Sequence, residues 1–144
     1  PIGGIINLLK GINILVPRNM MKAAGFYNNL INKDEPALVI ECLNGYRLKE
    51  KMPSNLGEFE TPIGKIEIIR SGVDITLVTY GSCCRIAMDA AEELMKFNIS
   101  LEIIDVQSLI PFDTDNDILK SIEKTMYPGI CLDGTTCCTP HPFP

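Results

Sequence analysis

Strand-length apolar runs alternate with helical spacing along this chain. Residues 13–16 form a short apolar run stopped by Pro17, and residues 20–32 then carry Ala23, Ala24, Tyr27, Leu30 and Ile31 at helical intervals. Asn19 stands where a side-chain oxygen can accept from a free N–H of the first turn, so it is the expected cap. Residues 37–42, entered through Pro36, are almost continuously apolar and of strand length. Strand, helix, strand predicts a parallel crossover.

Residues 44–61 keep no period and gather glycine, proline and charge, which reads as a linker; the charges of 47–51 read as a solvated surface. Beyond Pro62, residues 65–70 predict a half-exposed strand and residues 75–80, rich in β-branched side chains, a second. Residues 83–97 predict a helix with a core-facing stripe of Ile86, Ala87, Ala90, Ala91, Leu94 and Met95; Asp89, Glu92, Glu93 and Lys96 lie outside it. A buried strand at 101–106, a turn marked by Pro111 and Asp113, a helix at 117–124 and the start of a strand at 130–132 complete the pattern. The expected fold class is α/β, with a parallel sheet in the second unit and strands 75–80 and 101–106 adjacent around the 83–97 helix. Ligands of such sheets sit beyond the carboxyl ends of the strands, which directs attention to loops 81–84 and 107–113.

Composition narrows the partners. Of the 144 residues 46% are hydrophobic and 22% charged, as in a chain with a packed core. A net charge of -5 offers nothing to a phosphate backbone or an anionic membrane, so no nucleic acid and no membrane partner is expected. No apolar run reaches the ~20 residues of a membrane span and no secretion signal opens the chain, so a cytoplasmic location is expected. The chain opens without Met on an apolar, glycine-containing stretch, as a piece of a longer protein does. Residues 126–144 differ in composition, with four prolines, three cysteines, the only His and one charge, Asp133. They are expected to be a disordered tail or sequence foreign to the fold, as from a shifted reading frame; an intact gene encoding them in frame would contradict the latter.

The chemistry-bearing residues have bland and sharp readings. Gly81-Ser82 at a strand-to-helix junction can hold an anion, but without GxGxxG or GxxxxGKS a simple helix cap is the commoner use. Cys83 and Cys84 beside Arg85 lie where a thiol pKa falls, yet the only His is in the tail, so no base serves a thiol nucleophile. Cys42, Cys83 and Cys84 are expected as reduced thiols. Cys131, Cys137, Cys138 and His141 could offer three sulfurs and an imidazole to zinc, but adjacent cysteines and the lack of a CxxC knuckle argue against a metal site.

In order and spacing, residues 3–125 resemble the β-type part of 2-oxo acid dehydrogenase E1 components. The family's GLxVxxP strand corresponds to Gly11 through Pro17, its NPxxxxE…YR segment to Glu35-Pro36 through Glu41 and Tyr46-Arg47, and its PxGK to Pro62 through Lys65. GxDxTxVxxG appears as Gly72, Asp74, Thr76, Val78 and Gly81, AAEEL as Ala90 to Leu94, and IDLxTxxPxD as Ile104 to Asp113. The resemblance implies residues 1–48 as the end of a pyrimidine-side domain, 49–61 as linker, and 62–144 as an incomplete transketolase C-terminal-like domain with the atypical tail. It implies thiamine diphosphate and Mg in the intact enzyme, decarboxylation of a 2-oxo acid and acyl transfer to a lipoyl carrier. Implied partners are the missing E1 portion or an α-type subunit, the lipoyl acyltransferase core, and further copies in a homo-oligomer. The family's activating glutamate and its GDG…N motif have no counterpart here, so no catalytic, cofactor-binding or metal residue is carried over and the chain alone is expected to be inactive and cofactor-free. Some relatives hold potassium at positions corresponding to Leu30, Lys33 and Glu35; an ammonium group at 33 repels a cation. Gln107, where many pyruvate-type members have arginine, leans toward the branched-chain type. A transketolase or deoxyxylulose-phosphate synthase-like enzyme, which would keep both cofactor half-sites in its parent gene, and a non-catalytic interaction module, which would bind partners by itself, are the competing readings.

Overall fold

A computed structural model describes residues 2–51, 54–125, 127–132 and 136–137. After a short helix α1 (Ile2–Leu8), the first unit is β1 (Asn13–Leu15), α2 (Met20–Ile31) and β2 (Ala37–Val39), with β1 and β2 parallel as expected. Asn19 caps α2, its side chain accepting from the N–H of Lys22 at 2.9 Å. A 3-10 turn, Leu43–Arg47, leads into the linker. The end of that linker does not hang free. Thr61 is buried against α2, its N–H donating to the Gly25 carbonyl at 3.0 Å and its hydroxyl to that of Lys22.

The second unit contains β3 (Glu67–Arg70), β4 (Ile75–Thr79), α3 (Cys83–Met95), β5 (Leu101–Asp105), β6 (Ser108–Ile110), α4 (Asp117–Lys124), β7 (Tyr127–Leu132) and β8 (Thr136–Cys137). Its sheet runs β3-β5-β4-β7-β8. β4 pairs in parallel with β5, Ile75 opposite Leu101 through Thr79 opposite Asp105, bridged by α3. It also pairs in parallel with β7. That arrangement is the one expected, with β3 added antiparallel on β5. Alternation then puts Val78, Ile104 and Val106 on one face with Val16 of the first unit, and Leu101 and Ile103 on the other under Ala87 and Ala91 of α3.

Several expectations need correction. Residues 107–113 are not only a loop: β6 leaves the second unit and pairs antiparallel with β1, making the sheet β2-β1-β6. The two units therefore share backbone hydrogen bonds, including Val16 N–H to the Gln107 carbonyl at 2.7 Å. On α3 the buried residues are Cys83, Cys84, Ala87 and Ala91, whereas Ile86 is 59% and Met95 58% exposed, and Ala90 is exposed too. Small residues toward the sheet let the helix approach closely, which turns the larger side chains on its flank outward. The compositional break at 126 does not end the fold, because β7 takes residues 127–132 into the sheet beside β4. Cys138 and His141 of the considered zinc set lie outside the described residues.

Candidate functional site at the junction of the two units

Arg18 follows Pro17 at the carboxyl end of β1 and points into the second unit. Its guanidinium forks onto Glu67 of β3, at 2.8 and 3.0 Å, and reaches Asp105 at the end of β5, at 2.7 Å. Lys22, one turn into α2, adds an ion pair to Glu67 at 2.6 Å. Asp105 is wholly buried, and complete burial raises its pKa above the usual carboxylate value even though Arg18 and the Cys84 thiol pull it down. Glu67 goes the other way: despite partial burial, its bonds to Arg18 and Lys22 hold it at about 2. Burial works against the charge of Arg18, but the two carboxylates outweigh it and raise its pKa. Arg18 thus bridges two carboxylates of the second unit, and with Lys22 two cations of the first unit face them.

Beside this cluster a cavity of about 440 Å³ opens between the units, lined by Arg18, Cys42, Leu48, Cys84, Ile86 and Met88, among others. A smaller one of about 280 Å³ sits against Val16, Ile40, Cys42, Tyr80 and Cys83. Both lie at the carboxyl ends of β2 and β4, where the topology places ligands. Loop 81–84 reaches them as expected. Loop 107–113 does not, because β6 carries it to β1.

The strand-to-helix junction is built differently from a capped helix start. Gly81 takes a left-handed φ of 59°, and the Ser82 side chain makes no cap bond; Cys84 and Arg85 N–H groups instead bond to the Gly81 and Ser82 carbonyls at 3.3 Å each. Ser82 is itself helical at φ -64°, ψ -23°, so its hydroxyl is past the capping position. The Cys84 thiol is pushed far up by burial and by Asp105, the reverse of nucleophile activation. At the rim, Tyr27 and Tyr46 both donate to Glu41, lowering that carboxylate and raising Tyr27 to about 12. At the potassium-like turn the Leu30 carbonyl accepts from Lys33 N–H at 3.0 Å, and Lys33 and Glu35 are exposed.

A second buried cluster went unnoticed in the sequence. Glu102 on β5, 1% exposed, accepts from Ser121 and from Lys124 at 2.6 Å, and Thr76 meets Ser121 and Thr125. Those hydrogen bonds lower the Glu102 pKa against the burial that would raise it. They tie α4 to the sheet. The strand pattern of 101–106 implies burial, but nothing local signals that a glutamate inside it is paired.

A diphosphate with Mg needs free cationic or N–H donors together with hard oxygen ligands. In the larger cavity Arg18 is already spent on Glu67 and Asp105, which leaves Arg85 as the one further cation and Glu50 as the one carboxylate of the lining, the rest being neutral, apolar or sulfur. This donor set does not fit the thiamine diphosphate–Mg group.

Residues 64–138 match the family model described as transketolase, C-terminal domain, which covers half the chain. The chain belongs to that family. Over 123 residues it is 34% identical to the pyruvate dehydrogenase E1 component subunit beta of Staphylococcus aureus, and 31% identical to that of Bacillus subtilis. Both alignments cover 85% of this chain but 37% of the relative, so the chain spans little more than a third of their length. The β-type E1 resemblance read from the motifs is thereby borne out, and the family match runs past 125 to 138. The names of these relatives give no support to the branched-chain lean of Gln107. A solved split-gene transketolase, described as an inactive beta4 tetramer, shares the fold with a TM-score of 0.71 over 89% of this chain and 41% of its own, at 17% identity. No helix among the described residues is long and apolar enough to cross a membrane.

Proposed function

We propose that the chain serves as the assembly part of a β-type 2-oxo acid dehydrogenase E1 component. Residues 1–48 then form the end of the pyrimidine-side domain, 49–61 the linker and 62–144 the C-terminal domain. Catalytic groups and the thiamine diphosphate–Mg site come from the remainder of the enzyme, which decarboxylates a 2-oxo acid and passes the acyl group to a lipoyl carrier. Binding an α-type subunit, the lipoyl acyltransferase core and further copies of itself is the contribution assigned to this chain, in a cytoplasmic complex. The observation that carries the reading is the junction: β6 on β1 and Arg18 on Glu67 and Asp105 make one body of the two units, so both are presented together. The similarity to E1 beta subunits extends over 123 residues, 85% of the chain, and so takes in parts of both units.

Two measurements test it. Calorimetric titration of the purified chain with thiamine diphosphate and Mg is expected to give no binding heat, and detectable binding would overturn the assembly-only role. Co-purification with the acyltransferase core is expected only when the missing E1 portion and α-type subunit are supplied. Capture by the core without them would instead make the chain an autonomous interaction module.

A further inference from the structure

The larger cavity, about 440 Å³, falls in the size range of small-molecule sites, and most of its polar groups are already engaged. Arg18 serves Glu67 and Asp105, the Asn19 oxygen accepts from Lys22 N–H, the Cys84 thiol donates to Asp105, and Glu50 accepts from Met21 N–H at 3.3 Å. The Arg85 guanidinium and the Ser82 hydroxyl are the exceptions, with no hydrogen bond or ion pair among the described residues. Ser82 is already helical, so the two stand at i, i+3 on one face of α3. Because the N–H groups of Cys84 and Arg85 are bonded to the Gly81 and Ser82 carbonyls, it is these two side chains and not the helix end that remain to hold a ligand. The apolar part of the lining is equally unsatisfied. Ile86 is 59% and Leu48 46% exposed although both border the cavity, while Ile69 and Met88 in the same lining rest on the core of Ala87 and Ile103.

We propose that this cavity binds a small apolar monocarboxylate. The carboxylate accepts from Arg85 and from Ser82, a charge-assisted match that a planar guanidinium makes well. The hydrocarbon body covers Leu48, which ends the 3-10 turn, and Ile86 on α3, so the ligand joins the segment after the first unit to the second. Glu50 sets the charge limit. Its carboxylate shares the lining and repels a second negative group, which separates a monoanion from a dicarboxylate or a phosphate. The site uses none of the ion pairs of the Arg18 cluster, and it stands whether or not the chain works as an E1 part.

The test titrates the isotope-labelled full chain with hexanoate and follows the backbone amide resonances. Saturable shifts centred on Leu48, Ser82, Arg85 and Ile86 are expected, with a Kd of about 1 mM, a scale set by the few atoms of the probe. Arg85→Gln should weaken binding about tenfold or more, as loss of a charge-assisted bond implies, and Arg85→Lys should retain most of it. Arg85 is exposed and without a partner among the described residues, so neither change disturbs the fold. Adipate, an equal chain with a carboxylate at each end, and hexylammonium should each bind at least about tenfold more weakly than hexanoate. Absence of a saturable shift up to about 10 mM hexanoate would overturn the proposal. So would equal affinity for hexylammonium or in Arg85→Gln, which would reduce the cavity to an apolar surface without a carboxylate site, or shifts confined to residues outside the lining.

Discussion

Replacing Arg18 by Met keeps a long apolar stem and removes the guanidinium that links the units at Asp105. The Asp105 side chain is 0% exposed and that of Arg18 18% exposed, so solvent cannot substitute for the lost partner. What remains to Asp105 is the Cys84 thiol and the Gln107 N–H at 3.2 Å, neither carrying charge. Stripping a buried carboxylate of its cation costs about 3–5 kcal/mol. Glu67 is 35% exposed and keeps Lys22, so its share is screened and adds little. Against a total stability of about 5–15 kcal/mol, this single change removes a large fraction and lowers Tm by roughly 10 °C. Urea unfolding followed by circular dichroism measures it. Much of the loss should return in the Arg18→Met, Asp105→Leu double variant, because the stranded charge is gone and an apolar side chain takes its place. A cost under about 1 kcal/mol for Arg18→Met, or no recovery in the double variant, would refute the reasoning.

The same cluster fixes the acid response, in which its two carboxylates act in opposite senses. Glu67, held at about 2 from an ordinary 4.5, adds stability that is complete above 4.5 and is lost as pH falls toward 2. Asp105 is raised, so the unfolded chain releases that proton first and ionisation of the native group costs stability. Without Arg18 its value rises further, and the deficit of Arg18→Met should narrow as acid protonates it; urea midpoints from about pH 6 to 3 would show a constant or growing gap if this is wrong. Gly25→Ala places a Cβ 2.8 Å from Thr61 N and closer still to the Thr61 and Phe59 side chains, so the linker should lift from α2 at a cost of about 2 kcal/mol, with tryptic cleavage at Arg47, Lys49 and Lys51 speeding up roughly tenfold or more. Asp113→Ala removes the carboxylate that accepts from Asp117 and Ile118 N–H, at 2.9 Å each, and should destabilise α4 by about 1–2 kcal/mol in thermal unfolding, with Asp113→Asn recovering much of it.

What the sequence made legible is what periodicity encodes. The β4–α3–β5 unit and α4 stand where the alternation put them, because each must bury one face and the turns leave a single economical path. What escaped was set by contacts between distant segments. Nothing in Ser108-Leu109-Ile110 distinguishes a strand from a loop; β1 makes it one by offering an open edge, which is a tertiary decision. The same holds for the flank of α3: an alanine stripe and a leucine stripe are both apolar, and only the nearness of the sheet selects the small one and leaves Ile86 outside. Asp105 was visible only as part of the motif from Ile104 to Asp113 and Arg18 carried no signal, and the two lie 87 residues apart with no local sign that they pair. Because that pair, the β6–β1 ladder and the smaller cavity all bridge the same two units, the units should gain and lose structure together. Hydrogen exchange gives the decisive comparison: Arg18→Met should raise exchange in β1 and in β5 to similar extents, whereas loosening confined to β1 would mean that the second unit stands without the first.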